Sequence, residues 1–376
     1  MKKIMSLLLL LVILAVIPAA NAEAAGNRLG FEVLKALGDG TENQVISPVS
    51  LAYALAMAAQ GAGSETEKAL LEALEVDSAA EVAELTDALQ EAGLKLANAA
   101  FSASDLEPDE AYVQALQEQF GAEWFAQGED LEERINAWVA EKTDGLIEKL
   151  YDEPIDPETA LILLNAIAMD ADWASPFRKT DTEDGVFHAP DGEVTVPFMN
   201  QTIWARYGER DGVQLLRLEY ADSNLVLLLA LPEEGGVPQV LDGLAQEGLA
   251  YFQLSDETID VDLSMPKLDI SVGESLAQPL QELGLACAFD ERADFSGISK
   301  DVELCIGDVL QKARLVFDEE GTRAAAATSV EITPMMAPID HATVRMALDR
   351  PFVAVIADEQ TGAVSFASIV ANPVGN

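Results

Sequence analysis

The chain has 376 residues, 49% of them hydrophobic and 6% aromatic, with 22 basic and 66 acidic residues. This length and apolar content can bury a large core as one or two domains. The formal net charge of −44 repels nucleic acid and anionic lipid, so we expect neither as a partner. The acidic residues are spread along the whole chain, which is typical of a solvated surface in high salt.

The N-terminus has the three parts of a secretory signal peptide. Two lysines precede an apolar run at 4–17, and a small-x-small cleavage site follows at Ala20–Asn21–Ala22. A membrane-spanning helix needs about 20 apolar residues, so the pattern favours cleavage over a retained anchor. We therefore predict a signal peptide at 1–22, an extracellular protein with no membrane contact after cleavage, and a single domain at 23–376.

The first part of the mature chain predicts helices. A short amphipathic helix should end near Leu37, where Gly38–Asp39–Gly40 follows. Ser47 followed by Pro48 is typical of an N-cap with proline in the first turn. The small apolar residues after them predict a central helix buried on every side.

Two further helix signals follow. Ser64 and Glu67 have the spacing of a capping box at the start of another helix. The segment 135–150, INAWVAEKTDGLIEKL, predicts a helix with a stop at Gly145.

Strand patterns dominate from residue 160 onward. The continuous apolar run 160–169, ALILLNAIAM, predicts a strand buried on both faces. A hairpin is predicted over 185–199 around the turn Pro190–Asp191–Gly192. Further strands are predicted at 213–219, 224–231 and 258–270.

The two cysteines, Cys287 and Cys305, are too few for a disulfide scaffold. Export would permit a bridge between them. The apolar, strand-like stretch LCIGDVL around Cys305 equally favours buried free thiols, and both alternatives stay open.

The segment 317–336, FDEEGTRAAAATSVEITPMM, combines the pattern of a strand with the ending of a loop. After Gly321, alternate residues from Thr322 to Ile332 are small or apolar, so a strand could bury one face and leave the other in water. The ending Thr-Pro-Met-Met-Ala-Pro instead indicates an exposed, extended loop. Composition alone would favour an alanine-rich helix or a linker.

Several motifs, in the same order along the chain, resemble the serpin family. They are NQVISPVSLAYALAM at 43–57, the helix pattern at 135–150, LILLNAIAM with Trp173 and Phe177, EEGTRAAAAT at 319–328, and the closing segment at 349–373. The resemblance covers about residues 26–374 without a break in composition. It implies an α+β serpin fold, with helices packed around a large mixed β-sheet and smaller sheets, and an exposed reactive-centre loop at about 320–340.

The resemblance implies a secreted suicide-substrate inhibitor that forms a covalent complex with a target serine protease. In the family, the hinge glycine lies fourteen residues before the attacked bond, which puts that bond at Met335–Met336 and leaves Met336–Ala337 as an alternative. Methionine there implies an elastase-, chymotrypsin- or subtilisin-like target. The implied hinge residues, expected to be exposed before cleavage, are Glu319, Gly321, Thr322, Ala324, Ala325, Ala326, Ala327 and Thr328.

The family's mechanism also requires a sheet that can open. By resemblance, Ser47, Ser50 and Asn165 form a polar cluster under the strands that part. Gln311 stands where the family usually has a histidine, and Trp173 would lie where the loop begins to insert. Ordinary core packing is the alternative explanation for all five.

Enzyme and cofactor chemistry have little support in the sequence. His188 and His341 are the two histidines, and no G-x-S-x-G, H-E-x-x-H, phosphate-loop or EF-hand spacing occurs. We expect no catalytic residue, cofactor or metal, and a monomer. Because residues 61–133 contain only two lysines, we expect no heparin-like polyanion as a partner. The alternative function is a non-inhibitory serpin-fold binding or chaperone-like protein, which usually carries a bulky or charged hinge residue.

Overall fold

The computed structural model describes residues 24–102, 106–126, 130–151, 155, 159–322 and 344–375. The helices in these ranges are α1 (Asn27–Leu37), α2 (Pro48–Ala59), α3 (Ser64–Leu74), α4 (Ala79–Ala83), α5 (Leu85–Glu91), α6 (Glu110–Phe120), α7 (Leu131–Lys142), α8 (Val237–Glu247) and α9 (Ala277–Leu280). The strands are β1 (Gln44–Ile46), β2 (Leu94–Ser102), β3 (Glu123–Ala126), β4 (Leu161–Met169), β5 (Ala171–Asp172), β6 (Thr182–Ala189), β7 (Gly192–Arg210), β8 (Val213–Glu219), β9 (Leu225–Leu231), β10 (Thr258–Pro266), β11 (Leu268–Ser275), β12 (Leu310–Phe317), β13 (Gly321–Thr322), β14 (Val344–Ala347), β15 (Phe352–Asp358) and β16 (Val364–Val370).

The described strands form three sheets. The largest has nine strands in the order β1-β16-β15-β9-β8-β7-β10-β14, with β6 paired to β7. A four-stranded sheet has the order β11-β12-β13-β5, and a three-stranded sheet has the order β3-β2-β4. Because parallel and antiparallel pairs both occur, the architecture is the predicted α+β fold of helices around a large mixed sheet and smaller ones.

The first two predicted helices are confirmed. Helix α1 ends at Leu37, and α2 begins after Ser47, whose Oγ accepts a hydrogen bond from the backbone N–H of Ser50 at 3.1 Å. Nearly every residue of α2 is buried. This helix lies in the main apolar core, together with side chains of the nine-stranded sheet.

Two helix predictions are wrong in detail. Ser64 does not form the capping box, because its Oγ donates to Asp294 Oδ2 at 2.9 Å. Helix α7 spans 131–142 instead of 135–150. It stops early because the Thr143 Oγ1 accepts the backbone N–H of Ile147 at 3.1 Å, and Gly145 adopts a positive φ of 79° beyond the helix end.

The strand predictions hold with two corrections. The hairpin is confirmed, with Ala189 paired to Gly192 around Pro190 and Asp191. Strand β4 lies where it was predicted, but its first half alternates between buried and half-buried residues, and only its second half is buried on both faces. The predicted strand 258–270 is two strands, because the chain changes sheets at Lys267, whose backbone N–H donates to Pro197 O at 2.9 Å.

Both cysteines are free thiols. Cys305 is exposed and lies in a loop before β12, so the prediction of a buried strand position is wrong for this residue. Cys287 is half-buried.

Candidate functional site

The four- and three-stranded sheets meet along one line of the fold. Strand β5 follows β4 after a single residue, Asp170, so the two strands lie end to end. Within the described residues, β4 and β12 share no ladder hydrogen bonds, and only the short β13 lies between β12 and β5. We call the line between β4 and β12 the gap, and the end that holds β13 its head. A cavity of about 20 Å³ is lined by both strands next to Thr322.

The head of the gap depends on a glycine. The Asp318 carboxylate accepts the backbone N–H groups of Glu320 and Gly321 at 2.8 and 3.0 Å, which turns the chain back from β12 into β13. A Cβ on residue 321 would collide with the backbone carbonyl of Ala171. Only glycine therefore lets β13 approach β5 this closely.

Thr322 is the innermost described residue of this turn, and only 4% of its surface is exposed. It pairs with Phe317 of β12 on one side and Ala171 of β5 on the other. Its Oγ1 lies 2.6 Å from the phenol oxygen of Tyr220. Burial raises the pKa of Tyr220 far above its usual value, so this partner is a neutral hydroxyl.

Trp173 covers the same turn. Its ring stacks on Tyr220, with centroids 4.7 Å apart and an interplanar angle of 19°. The indole Nε1 donates to Asp318 O at 2.9 Å, and the backbone N–H of Trp173 donates to Glu320 O at 2.9 Å. Stacking and hydrogen bonds from one residue thus hold both sides of the turn.

A buried ion pair completes the head. Glu319 is 5% exposed, and its carboxylate accepts from Lys267 Nζ at 2.6 Å and from Thr182 Oγ1 at 2.9 Å. Burial alone would raise the pKa of Glu319, but the hydrogen bonds from Lys267, its own backbone N–H and Thr182 outweigh it and lower the pKa. The carboxylate is therefore charged at neutral pH. The residues that hold the turn, which we call the head cluster, are Trp173, Tyr220, Lys267, Glu319 and Thr322.

A second cluster lies at the middle of the gap. The Gln311 side-chain amide on β12 pairs with the backbone of Ser47, accepting from its N–H at 2.9 Å and donating to its carbonyl at 3.0 Å. On the β4 side, Ser50 Oγ donates to Asn165 O at the long distance of 3.4 Å. The start of α2 therefore links the two strands that share no ladder.

Asn165 extends this cluster toward β2. Its Nδ2 donates to Asn98 Oδ1 at 2.8 Å, and Asn98 Nδ2 donates in turn to Phe120 O at 2.8 Å. Asn165 Oδ1 is buried and has no hydrogen-bond partner within the described part of the chain. Such an atom is costly to leave unsatisfied. We call Ser47, Ser50, Asn98, Asn165 and Gln311 the middle cluster.

The family model for serpins, described as serine protease inhibitors, matches residues 24–373. The chain belongs to the serpin family. Among curated relatives, a serpin-like protein of Thermococcus kodakarensis is 33% identical over 95% of this chain and 86% of its own length. Iripin-2 of Ixodes ricinus is 31% identical over 97% of both chains.

Solved serpin structures share the fold. Tengpin, a thermophilic serpin in its native state, matches with a TM-score of 0.83 and 29% identity over 92% of this chain and 93% of its own. Human thyroxine-binding globulin, complexed with thyroxine, matches with a TM-score of 0.80 and 26% identity over 93% of this chain and 99% of its own. The fold of this chain is thus shared by a native thermophilic serpin and by a hormone-named globulin.

The structure brings together Ser47, Ser50, Asn165 and Gln311, as the family resemblance implied, and it places Trp173 at the head of the gap. The expectation that the hinge is exposed is wrong for Glu319, Gly321 and Thr322, because all three are buried and Thr322 is already paired between two strands. The remaining hinge and reactive-bond residues lie outside the described residues, as does His341: Ala324, Ala325, Ala326, Ala327, Thr328, Met335 and Met336. His188 is exposed near Glu193.

Sequence reasoning missed Tyr220, Asn98 and Lys267. For Lys267 a signal exists, because it is the only basic residue between Arg217 and Arg292 and stands beside apolar positions. A lone cation in a long acidic stretch, next to a strand, indicates a specific carboxylate partner. Tyr220 and Asn98 carry no comparable local signal.

Proposed function

We propose that this serpin is a secreted suicide-substrate inhibitor of serine proteases that cut after apolar residues. The observation that supports this most is the gap between β4 and β12, with Gly321 and Thr322 already paired at its head. An unpaired strand edge is a template for another strand. A strand that continued the pairing of Thr322 would add between these two edges.

The register at the head can be extended without a break. Thr322 pairs with Phe317 and with Ala171, so a regular antiparallel ladder would place Ala324 beside Leu315 and Met169. Ala326 would then lie between Ala313 and Ile167. Thr328 would lie between Gln311 and Asn165, where Asn165 Oδ1 lacks a described partner.

The burial pattern of β12 fits this register. Phe317, Leu315 and Ala313 are buried, whereas the residues between them are half-buried. Directly opposed residues of a ladder share a face. The small residues at 322, 324, 326 and 328 would thus face the core, and Arg323 would face away from it.

The chemistry follows from the proposed reactive bond. The serine hydroxyl of the protease attacks the Met335 carbonyl carbon, the bond to the Met336 nitrogen breaks, and Met335 remains on the protease as an ester. The freed chain from Thr322 to about Thr333 then adds to both strand edges. About a dozen hydrogen bonds of roughly 1 kcal/mol each, with burial of one face, give on the order of 10 kcal/mol, which rivals the stability of a whole domain.

We also propose export through the signal peptide at 1–22, a single domain at 23–376, and a monomeric protein. The acidic composition supports partners other than nucleic acid, membranes or a heparin-like polyanion. Within the described residues, no helix is long and apolar enough to cross a membrane, and no group of three metal-ligating side chains forms a candidate metal site.

The test is to mix the protein with elastase-, chymotrypsin- and subtilisin-like proteases and look for an SDS-resistant adduct. We expect a released C-terminal fragment that begins at Met336, and Met335→Arg should redirect inhibition toward trypsin. The matched variant Met336→Arg should not do so. A fragment beginning at Ala337, with the opposite behaviour of the two variants, would move the bond by one residue.

Complete cleavage without any adduct across the panel would support the alternative, a non-inhibitory binding or chaperone-like serpin. The solved complex of thyroxine-binding globulin with thyroxine shows that a serpin fold can bind a small ligand. The small residues from 324 to 328 argue against that alternative here.

A further inference from the structure

A half-buried arginine stands on the outer face of β12, beside the gap. Ala313 and Leu315 point into the core and are buried, so Arg314 between them points to the opposite face of the sheet. Its side chain is 29% exposed. Arg314 also belongs to the part of β12 that lines the cavity next to Thr322.

The guanidinium of Arg314 bonds to two different parts of the fold. Its Nε and Nη2 each donate to the Asp269 carboxylate of β11 at 2.7 Å, and this two-point contact fixes the plane of the group. The remaining nitrogen, Nη1, donates to the backbone carbonyl of Leu146 at 3.3 Å. Leu146 follows α7, so Arg314 links β12 to a segment that belongs to neither sheet.

That segment is a hydrogen-bonded turn, residues 143–147, which we call the cover turn. Thr143 is fully buried, and its Oγ1 donates to Val139 O at 2.8 Å and accepts the backbone N–H of Ile147 at 3.1 Å. The backbone N–H of Leu146 donates to Thr143 O at 2.9 Å. These bonds fix the position of the Leu146 carbonyl relative to α7.

The cover turn is anchored on the β4 side of the gap. Ile147 is buried in a small apolar cluster, separate from the main core, that includes Ile162 of β4. Asp144 forms an ion pair with Lys95 of β2. Since the turn is anchored to β2 and β4, and Arg314 ties it to β12, it crosses the gap on the outer face.

The cavity next to Thr322 lies at this crossing. Leu146 and Ile147 line it together with residues 167–169 of β4 and 314–316 of β12. Its volume of about 20 Å³ is enough for about one water molecule, so the space has to widen before a strand can lie there. Because the cover turn stays with β4, widening breaks the bond between Arg314 and Leu146 O.

We propose that Arg314, oriented by Asp269, is a positioning residue that holds the cover turn across the gap and sets how fast a strand adds there. The inference rests on the strand addition proposed above and names the residue pair that limits it. While the bond from Arg314 to Leu146 O is intact, which we call the latch, the gap stays narrow. When the latch breaks, the Asp269 carboxylate keeps the guanidinium in place, so the latch can form again.

The experiment measures how fast a synthetic peptide with the sequence of residues 322–333, TRAAAATSVEIT, adds to the full-length mature protein. Arg314→Met removes the donors but keeps the length of the side chain, and it should speed addition about fivefold. Arg314→Lys has one amine that cannot both bind Asp269 at two points and reach Leu146 O, so its rate should lie between those of the wild type and Arg314→Met. Asp269→Asn should also give an intermediate rate, because the guanidinium loses its charged partner.

Arg217→Met is the matched control, because Arg217 also binds a carboxylate with two nitrogens, that of Glu359 at 2.7 and 2.8 Å, but lies on β8. It should add the peptide at the wild-type rate. An equal gain in this control would mean a general loosening of the fold, and an unchanged rate for Arg314→Met would mean that the cover turn is no barrier. Either result overturns the latch, and so does a peptide that adds to none of the proteins.

The protease adduct is measured separately, so the two proposals can fail separately. A wild type that takes up the peptide but traps no protease, with faster uptake by Arg314→Met, keeps the latch and loses the inhibitory function. A wild type that traps proteases, with no gain in peptide uptake for Arg314→Met, keeps the inhibitory function and loses the latch.

Discussion

The gap between β4 and β12 is held differently at its head and at its middle. In the head cluster, stacked rings, a buried hydroxyl pair and the ion pair of Glu319 with Lys267 fix residues 319–322 between two strands. In the middle cluster, neutral groups join the start of α2 to both strands without a ladder between them: the Gln311 amide of β12 bonds to the Ser47 backbone, and the Ser50 hydroxyl bonds to Asn165 O of β4.

This difference separates two tasks. In the proposed mechanism the head would fix where a new strand begins and in which register, because Thr322 is paired on both sides. In the proposed mechanism the middle would have to release and reform, and its contact with β4 is the long hydrogen bond of 3.4 Å between Ser50 and Asn165. Substitutions at the head should therefore affect the native fold, whereas substitutions at the middle should affect mainly the ease of opening.

The largest expected losses of stability and of protease trapping are those of Thr322→Arg. The side chain at 322 is buried against Tyr220 and between two strands, so a guanidinium there has neither water nor a described carboxylate partner within the slot. We expect a loss of unfolding free energy on the order of 3 kcal/mol, together with loss of the protease adduct. Thermal unfolding before protease is added, and adduct yield per cleavage, measure the two effects.

Thr322→Ser is the control, because it keeps the hydroxyl that lies 2.6 Å from Tyr220. It should retain most of the stability and the adduct. If Thr322→Arg lost the adduct but kept the wild-type Tm, residue 322 would be exposed before cleavage. The head of the gap would then contribute no more to native stability than its middle.

The sequence predicted the middle of the gap better than its head. Ser47 and Pro48 could be interpreted because their cause is local, with the cap bond reaching only to Ser50. Resemblance to the serpin family then located Asn165 and Gln311, which no periodicity would have singled out. Their contacts with the start of α2 agree with that expectation, while their part in opening the sheet stays a proposal.

The head escaped sequence reasoning because its contacts join distant parts of the chain. Lys267 and Glu319 are 52 positions apart, and Tyr220 and Thr322 are 102 apart. Whether Thr322 is buried depends on how β5 and β12 are spaced, which no local pattern encodes. The same limit explains the end of α7, where a side chain of Thr143 replaced the expected helical turn.

A smaller loss of stability is expected for Glu319→Gln, which removes the negative charge of the head cluster but keeps the shape of the side chain. Lys267 would lose its partner, although the 35% exposure of its side chain lets water compensate in part. We expect a loss of about 2 kcal/mol of unfolding free energy at neutral pH. Chemical denaturation of the wild type and the variant measures it.

The difference in stability between the wild type and Glu319→Gln should depend on pH. Because the pKa of Glu319 is lowered in the folded protein, the charged carboxylate stabilises the fold above the ordinary glutamate pKa of about 4.3. That contribution is lost as the pH falls through the lowered pKa. The stabilities of wild type and Glu319→Gln should therefore converge in acid, and a constant difference would mean that the charge at 319 does not matter.

The smallest change in stability is expected at the middle cluster, from Gln311→His. The glutamine amide accepts from Ser47 N–H and donates to Ser47 O, and it does not titrate. A neutral imidazole can keep one acceptor and one donor, but an imidazolium has two donors and cannot accept the Ser47 N–H. The folded state would therefore lower the pKa of the new histidine below its ordinary value of about 6.5.

The sign of the effect follows from that shift. The unfolded chain would bind the proton more readily, so the variant should lose stability as the pH falls through about 6.5, by about 1 kcal/mol between pH 8 and pH 5. The two natural histidines and all other titratable groups are present in both proteins, so the wild type is the reference for any other pH effect. Denaturation midpoints at pH 8 and pH 5 for both proteins give the difference, and protease trapping at the same pH values shows whether a weaker middle opens faster. If the difference in stability between variant and wild type were the same at pH 8 and pH 5, residue 311 would act only through packing. The contrast between a charged head and a neutral middle would then no longer explain what stabilises the two ends of the gap.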